Sequence, residues 1–582
     1  MPDSIINQRR HMNNQLVFSD YFVFIVYFII VSSYGYWIYK KRKSREHDSK
    51  AFFLAEGSLT WWAIGASLIA SNISAEQFIG MSGNGFSIGI AVAAYEWIAA
   101  IALIIVAVWF IPVYLKNKIF TMPQFLKTRY NETVALIMAI FWLFLYVFVN
   151  LTSILFLGAV AINNLVGGGE NQFHVIVIAL SLFAVLITLG GMKVIGFTDV
   201  IQVSVLIIGG LATTYVALTV VSREFGLGES ALAGFNQLLK SAPDHFHMIF
   251  EKPRPNSSQH QINNYITIPG LLSYAAGIWI INLNYWGCNQ YITQRALGAD
   301  LHTARKGILF AGFLKLLMPV IVMLPGIAAF VLHQHGLLQQ QMMNHSKNGE
   351  VVSDNAYSAI LGYLPNGLIG LSLAALTAAI VASLAGKANS ISTIFTLDIY
   401  KKYIRKEATE QKMVWIGRVT ILAALFVSIL LTWKDSLDIG GEGGFTFIQK
   451  YTGFISPGVF AMFILGMFWK RTTGAAAVAG VIVGFLLSVL FNVYAPSWFG
   501  NDTFLYTAYK NNAGNYEIPF HVCMGLAFFF TMLVMVLMSF AGPKVNPKAF
   551  VLDKSMFKLE PGTIAMIVIT LLIISLLYVR FW

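Results

Sequence analysis

Apolar runs of about 20 residues, long enough to cross the hydrocarbon core of a bilayer, recur along the chain near 17–39, 59–84, 89–113, 132–164, 172–191, 198–221, 267–292, 306–333, 364–388, 413–433, 445–469, 473–495, 519–541 and 561–581. They predict an all-α polytopic membrane protein with about 14 transmembrane helices. The second run interrupts itself. It reads LTWWAIGASLIASNISAEQFIG, with Ser71, Asn72, Ile73 and Ser74 in its middle and Glu76 and Gln77 directly after. Unpaired backbone groups cost several kcal/mol each in hydrocarbon, so a spanning helix is broken only where its freed groups face protein, water or a ligand. A break here predicts a binding site near the bilayer midplane, where discontinuous helices mark the sites of secondary transporters.

The seventh run carries a comparable polar interruption at Asn282, Asn284, Asn289 and Gln290. Runs two to six and seven to eleven therefore read as two five-helix halves of opposite orientation, with the substrate where the two broken helices meet. The division this predicts is 1–58, an extra span and a basic loop; 59–221, the first inverted repeat; 222–266, an extracellular loop; 267–469, the second inverted repeat; and 470–582, extra C-terminal spans.

The charges set orientation. Lys40, Lys41, Arg42, Lys43, Arg45 and Lys50 fill one connection, and Lys116, Lys118, Lys127 and Arg129 fill another, whereas 85–88 and 165–171 hold no Lys or Arg. Arg295, Arg305 and Lys306, then Lys401, Lys402, Arg405 and Lys406, then Lys470 and Arg471, then Lys544, Lys548, Lys554 and Lys558 keep the same parity. The positive-inside rule makes that side cytoplasmic and leaves both termini outside the inner (plasma) membrane, with Arg9 and Arg10 as a weak counter-signal.

Composition narrows the class. Of 582 residues 57% are hydrophobic and 11% charged, against about 25% charged in a soluble domain. The net charge of +12 sits in short clusters between spans, which is orientation information and not a nucleic-acid footprint. Cys288 and Cys523 both lie in apolar runs and read as buried thiols. There is no P-loop, no HExxH and no catalytic constellation, so the sequence predicts no enzyme and no cofactor. A channel would show a repeated pore loop or rings of like residues, and none is visible.

Glu96 in the third run and Lys315 in the eighth are ionisable residues inside spans, a functional signal by default, the alternative being a structural ion pair. With the amides of Asn72, Gln77, Asn282 and Gln449 and the rings of Tyr95 and Tyr285 they suit a neutral polyhydroxylated ligand, whose hydroxyls both donate and accept. For a cation, carbonyls freed near Ala70 and Ile73 would join Ala379, Ala382 and Ser383 of the ninth run. These share one helical face with Lys387; small residues on such a face also mark close helix packing.

The segments ASLIASNISAEQFIGMSGNGFSIG, YEWIAAIALIIVAVWFIPVYL, FVNLTSILFLG, TDVIQV, YWGCNQYITQR, STIFTLDIYKKY and FIQKYTGFISPGVFAMFILGMFWKRTT resemble the sodium/solute symporter family, in particular its bacterial sodium/galactose carriers. The resemblance implies a leucine-transporter-type fold of two inverted five-helix repeats working by alternating access, with a monosaccharide and Na+ as cargo and a lipid bilayer as surroundings. It carries sugar contacts onto Asn72, Gln77, Glu96, Asn282, Lys315 and Gln449, an inner gate onto Tyr285, and an outer gate onto Met81, Tyr95 and Phe445. It carries the Na+ site onto Ala70, Ile73, Ala379, Ala382 and Ser383, and a residue near the intracellular exit onto Asp199.

Three positions depart from the family pattern. Ala99 stands where a serine is expected three residues after Glu96, and Ala382 where the first of two adjacent serines is expected. Lys387 occupies a normally apolar position, where its ammonium either replaces Na+, giving Na+-independent or proton-linked transport, or snorkels to the cytoplasmic surface. A membrane sugar sensor without transport is the further alternative.

Overall fold

The computed structural model describes residues 16–41, 59–74, 76–166, 168–343, 351–434, 449 and 451–582. The basic connection at 42–58 and the outer-gate candidate Phe445 lie outside the described residues. Apart from a two-residue antiparallel hairpin, Tyr509–Lys510 with Tyr516–Glu517, and one isolated bridge, the described regular structure is helical. Among the described residues eleven helices are long and apolar enough to cross a membrane, or twelve if the bent pair Gln259–Ala275 and Gly277–Cys288 counts as one. The expected runs at 59–84 and 445–469 do not enter that number. The first is cut in two, and the second is described as the short apolar helix Ser456–Phe468.

The cut falls within the expected interruption, Ser71 to Ser74. The helix Trp61–Asn72 stops because Ile73 turns to an extended backbone at φ −79°, ψ 117°, and the chain resumes as the π-helix Glu76–Met81 followed by Ser82–Ser87. Gln77 Oε1 accepts from the Ser74 N–H at 3.1 Å, so a donor freed by the break is capped three residues on.

The second broken span differs from expectation in detail. Asn282 and Asn284 lie inside the continuous helix Gly277–Cys288, and the chain departs from helix at Ala276, where the two flanking helices meet at 77°, and again at Asn289, at φ −100°, ψ 126°. An asparagine satisfied by its own helix signals no interruption, and the Asn282 amide donates to the Ile278 carbonyl at 3.0 Å.

The two broken spans pack reciprocally. Trp61–Asn72 lies against Leu301–Lys315, and Gly277–Cys288 lies against Ala94–Ile105. The first described helix, Phe18–Lys41, is held to the helix Leu368–Thr393 by Asp20, which is fully buried. Its Oδ1 accepts from the N–H groups of Gly367 at 2.7 Å and Gly370 at 3.1 Å, and so caps the start of the helix that carries Ser383. Asp20→Ala strands two buried donors at a cost of about 1–3 kcal/mol. It is expected to lower the thermal unfolding midpoint of the detergent-solubilised protein, with Asp20→Asn, which keeps an acceptor, losing less.

Several basic residues counted as orientation charges turn out to hold the structure together. Arg305 donates to the carbonyls of Met556 at 2.7 Å and Lys558 at 2.8 Å, and Arg129 donates to Gly466, Trp469 and Thr472 at 2.7 to 3.1 Å. A guanidinium presents five donors in a fixed fork and can satisfy several stray carbonyls at once. At the opposite end of the molecule the last helix, Pro561–Phe581, meets the 222–266 segment, where the Met248 N–H donates to the Phe581 carbonyl at 2.8 Å.

Candidate functional site

The break in the second span and the middle of the composite helix Leu301–Gln334 face each other. Lys315, 1% exposed, forms a buried ion pair with Glu96 and also donates to Asn72 Oδ1. The Asn72 amide donates to the Tyr285 hydroxyl at 3.0 Å, and that hydroxyl is bonded to the hydroxyl of Tyr291. The ring of Trp286 lies 5.3 Å from Lys315 Nζ, a cation–π distance that spreads the ammonium charge over an apolar wall. One bonded chain therefore runs from Glu96 through Lys315, Asn72 and Tyr285 to Tyr291 and joins five helices.

Gln77 is buried at the same break, tied to Ser74. Asn282 is buried but turned to its own helix. Gln449 is a partly buried helical residue whose neighbours at 448 and 450 lie outside the described residues. Met81 is fully buried at the end of the π-helix, and Tyr95 is bonded to His521 Nε2 at 3.0 Å. Ala99 is buried and offers only a methyl group.

A second cluster adjoins the first through the same backbone. Ser383 Oγ lies 2.9 Å from the Ser71 carbonyl, 3.2 Å from that of Ile73 and 3.5 Å from that of Ala70. Four oxygens from two helices thus converge in a buried place, the hard-oxygen chemistry that suits an alkali cation. Ser71 was not anticipated as a contributor, because only its carbonyl takes part. Ala379 and Ala382 are buried on the same helix as Ser383.

One turn back along the helix Trp61–Asn72, at Ser67, Asp199 is fully buried, bonded to Ser67 Oγ and 3.9 Å from the Arg295 guanidinium. Arg295 also donates to Ser67 Oγ at 2.8 Å and to the Tyr291 carbonyl. Gly386 makes room for it, since a Cβ there would sit 2.5 Å from Arg295 Nη2. Arg295, read from its place beside a basic connection as an orientation charge, is instead an interior ion-pair partner. Lys387 does not snorkel. It is 4% exposed, and its ammonium lies 5.1 Å from the centroid of the Tyr291 ring. No group of three or more His, Cys, Asp or Glu side chains that could hold a metal occurs among the described residues.

A bundle of apolar helices with broken spans and a sealed cluster of polar side chains at the break defines a membrane transporter rather than an enzyme. Over residues 52–484 the chain matches the model of the sodium:solute symporter family. It belongs to that family. It is 38% identical to the sodium/glucose cotransporter of Vibrio parahaemolyticus over 98% of this chain and all of that one. It is 33% identical to sodium/myo-inositol cotransporter 2 of Sus scrofa over 81% of this chain and 69% of the relative. A solved Na+-coupled sialic acid symporter, substrate-bound and outward-open, superposes with a TM-score of 0.72 at 19% identity, covering 91% of this chain and 99% of that one, which establishes the fold.

Proposed function

We propose that the protein couples the inward movement of Na+ to uptake of a galactose- or glucose-like monosaccharide by alternating access. The observation that carries this reading is that the two clusters share the last turn of one broken helix and the residue that follows it. Ala70, Ser71 and Ile73 turn their carbonyls to Ser383, while Asn72 between them is bonded to Lys315 and Tyr285. An ion that fixes these carbonyls also fixes the amide that would meet a sugar. Coupling requires only that each ligand discriminate between the two conformations. At a membrane potential of about 100 mV each translocated charge adds about 2.3 kcal/mol of drive.

In this reading Asn72, Gln77, Glu96, Asn282, Lys315 and Gln449 meet the sugar's hydroxyls, Tyr285 closes the inner gate, and Met81, Tyr95 and Phe445 close the outer one. Ala70, Ile73, Ala379, Ala382 and Ser383 surround Na+, with Asp199 on its way to the cytoplasm. The spans number 14 when the broken second span and the helix Ser456–Phe468 are added to the twelve, and both termini are extracytoplasmic. The reciprocal packing of the two broken spans supports two inverted repeats at 59–221 and 267–469.

Lys387, one turn beyond Ser383 on the same face, acts on Na+ affinity through its charge and does not take the ion's place. At an effective dielectric of about 20 two like unit charges about 4 Å apart repel by about 4 kcal/mol, falling inversely with distance, so an ammonium one turn from the ion weakens its binding, less whatever its neighbours screen. Lys387→Met is therefore expected to lower the Na+ concentration for half-maximal uptake several-fold, measured as initial sugar uptake against external Na+. Loss of all Na+ dependence in the wild type would instead favour replacement of the ion by the ammonium.

Purified protein in proteoliposomes, given labelled glucose, galactose and inositol with an inward Na+ gradient, a proton gradient or neither, tests the proposal. Accumulation of a hexose only with Na+ is the expected result. Equal accumulation without it, or binding with no accumulation, would overturn it.

A further inference from the structure

The helix Phe520–Phe540 lies outside the residues matched by the family model, yet it inserts a side chain behind the outer gate. His521 is fully buried, and both of its ring nitrogens are engaged. Nε2 is 3.0 Å from the hydroxyl of Tyr95, and Nδ1 is 3.0 Å from Oγ of Ser273. A neutral imidazole has one donor and one acceptor, so one hydroxyl donates to the ring while the other accepts from it. Tyr95 directly precedes Glu96, and Ser273 lies in Gly270–Ala275, on the far side of the 77° bend from Gly277–Cys288.

The backbone at that bend is packed onto the same helix. A Cβ on Gly277 would fall 2.6 Å from the His521 Cα, and one on Gly525 would fall 2.5 Å from the Ala276 Cβ. Both contacts fall at the two residues about which the seventh span bends. Contacts this close hold only between glycine and its neighbour, so Phe520–Phe540 is seated on the bend itself.

We infer that His521 is a positioning residue for the outer gate, tying the orientation of the Tyr95 ring to the bend of the seventh span. A gate held in this way yields only when the bend moves, and the helix outside the repeats becomes part of the sugar's lid. The inference rests on the proposed role of Tyr95 as a gate.

A double-mutant cycle tests it, because residues that act through one bond are not additive. Na+-driven hexose uptake is measured for wild type, His521→Ala, Tyr95→Phe and the double variant. The worth of a neutral hydrogen bond predicts a rise of about three- to tenfold in sugar KM for each single change, a smaller change in maximal rate, and no further rise in the double variant. His521→Gln, which can still donate and accept, is expected to recover part of the loss. A merely structural histidine would lower the unfolding temperature but add its effect on KM to that of Tyr95→Phe; additivity, or an unchanged KM in both single variants, overturns the inference. Should His521→Ala fail to fold, Ser273→Ala takes its place in the cycle with the same expectation. No Na+-driven uptake by the wild type would instead overturn the transport reading on which the inference rests.

Discussion

Glu96→Ala should reduce hexose uptake to below about 1% of wild type while the protein is still inserted in the membrane. Two effects combine. The variant removes the carboxylate acceptor from the proposed sugar site and leaves Lys315, which is 1% exposed, with the Asn72 oxygen and the Trp286 ring as its partners among the described residues. Deleting one member of a buried ion pair costs about 3–5 kcal/mol, because the other charge stays buried without compensation. Glu96→Gln keeps shape and acceptor but not charge, and is expected to lose at least tenfold in uptake with less damage to stability. The double variant Glu96→Ala/Lys315→Met, which removes both charges, should recover thermal stability without recovering transport. Unfolding in detergent and labelled-hexose uptake measured side by side check all three. Transport in the double variant would take the pair out of the sugar site and leave it a purely structural element.

Ser383→Ala is expected to raise the Na+ concentration for half-maximal uptake by at least tenfold. The hydroxyl sits within 3.5 Å of three carbonyls and is the one side-chain oxygen in that cluster. Interactions of a polar group with a charge are worth about 1.5–3 kcal/mol, which is roughly ten- to a hundredfold in affinity. Sugar KM at saturating Na+ should move far less, because Asn72, Glu96 and Lys315 keep their contacts. Initial-rate measurements over a matrix of Na+ and sugar concentrations separate the two constants. An unchanged Na+ requirement would remove the cation from this place.

The spans were legible because hydrocarbon imposes a length and a composition on each, and the broken second helix was legible because four polar-flanked residues, Ser71 to Ser74, interrupt an otherwise apolar run. Glu96 and Lys315 stood out for the same reason, as charges where lipid tolerates none, and the structure places them in contact. What escaped was whatever depends on partners far along the chain. Arg295 reads from its surroundings as one more basic residue near a connection, and only the fold brings it to Asp199, 96 positions earlier in sequence. The Ser71 carbonyl could not be seen at all, since a backbone oxygen leaves no mark on residue type. Asn282 misled in the opposite direction, because a polar side chain bonded within its own helix and one that marks a break share the same letter. His521 sat in an apolar run that gave no hint of what its ring would reach.

The clasp between Asp20 and the amides of Gly367 and Gly370 bears on how the protein can be handled in the laboratory. Since the helix Phe18–Lys41 closes the starting end of the rod that presents Ser383, it cannot be treated as disposable wrapping. A shortened version lacking it, or a bulky fusion that pries it away, would report an ion requirement belonging to a different machine.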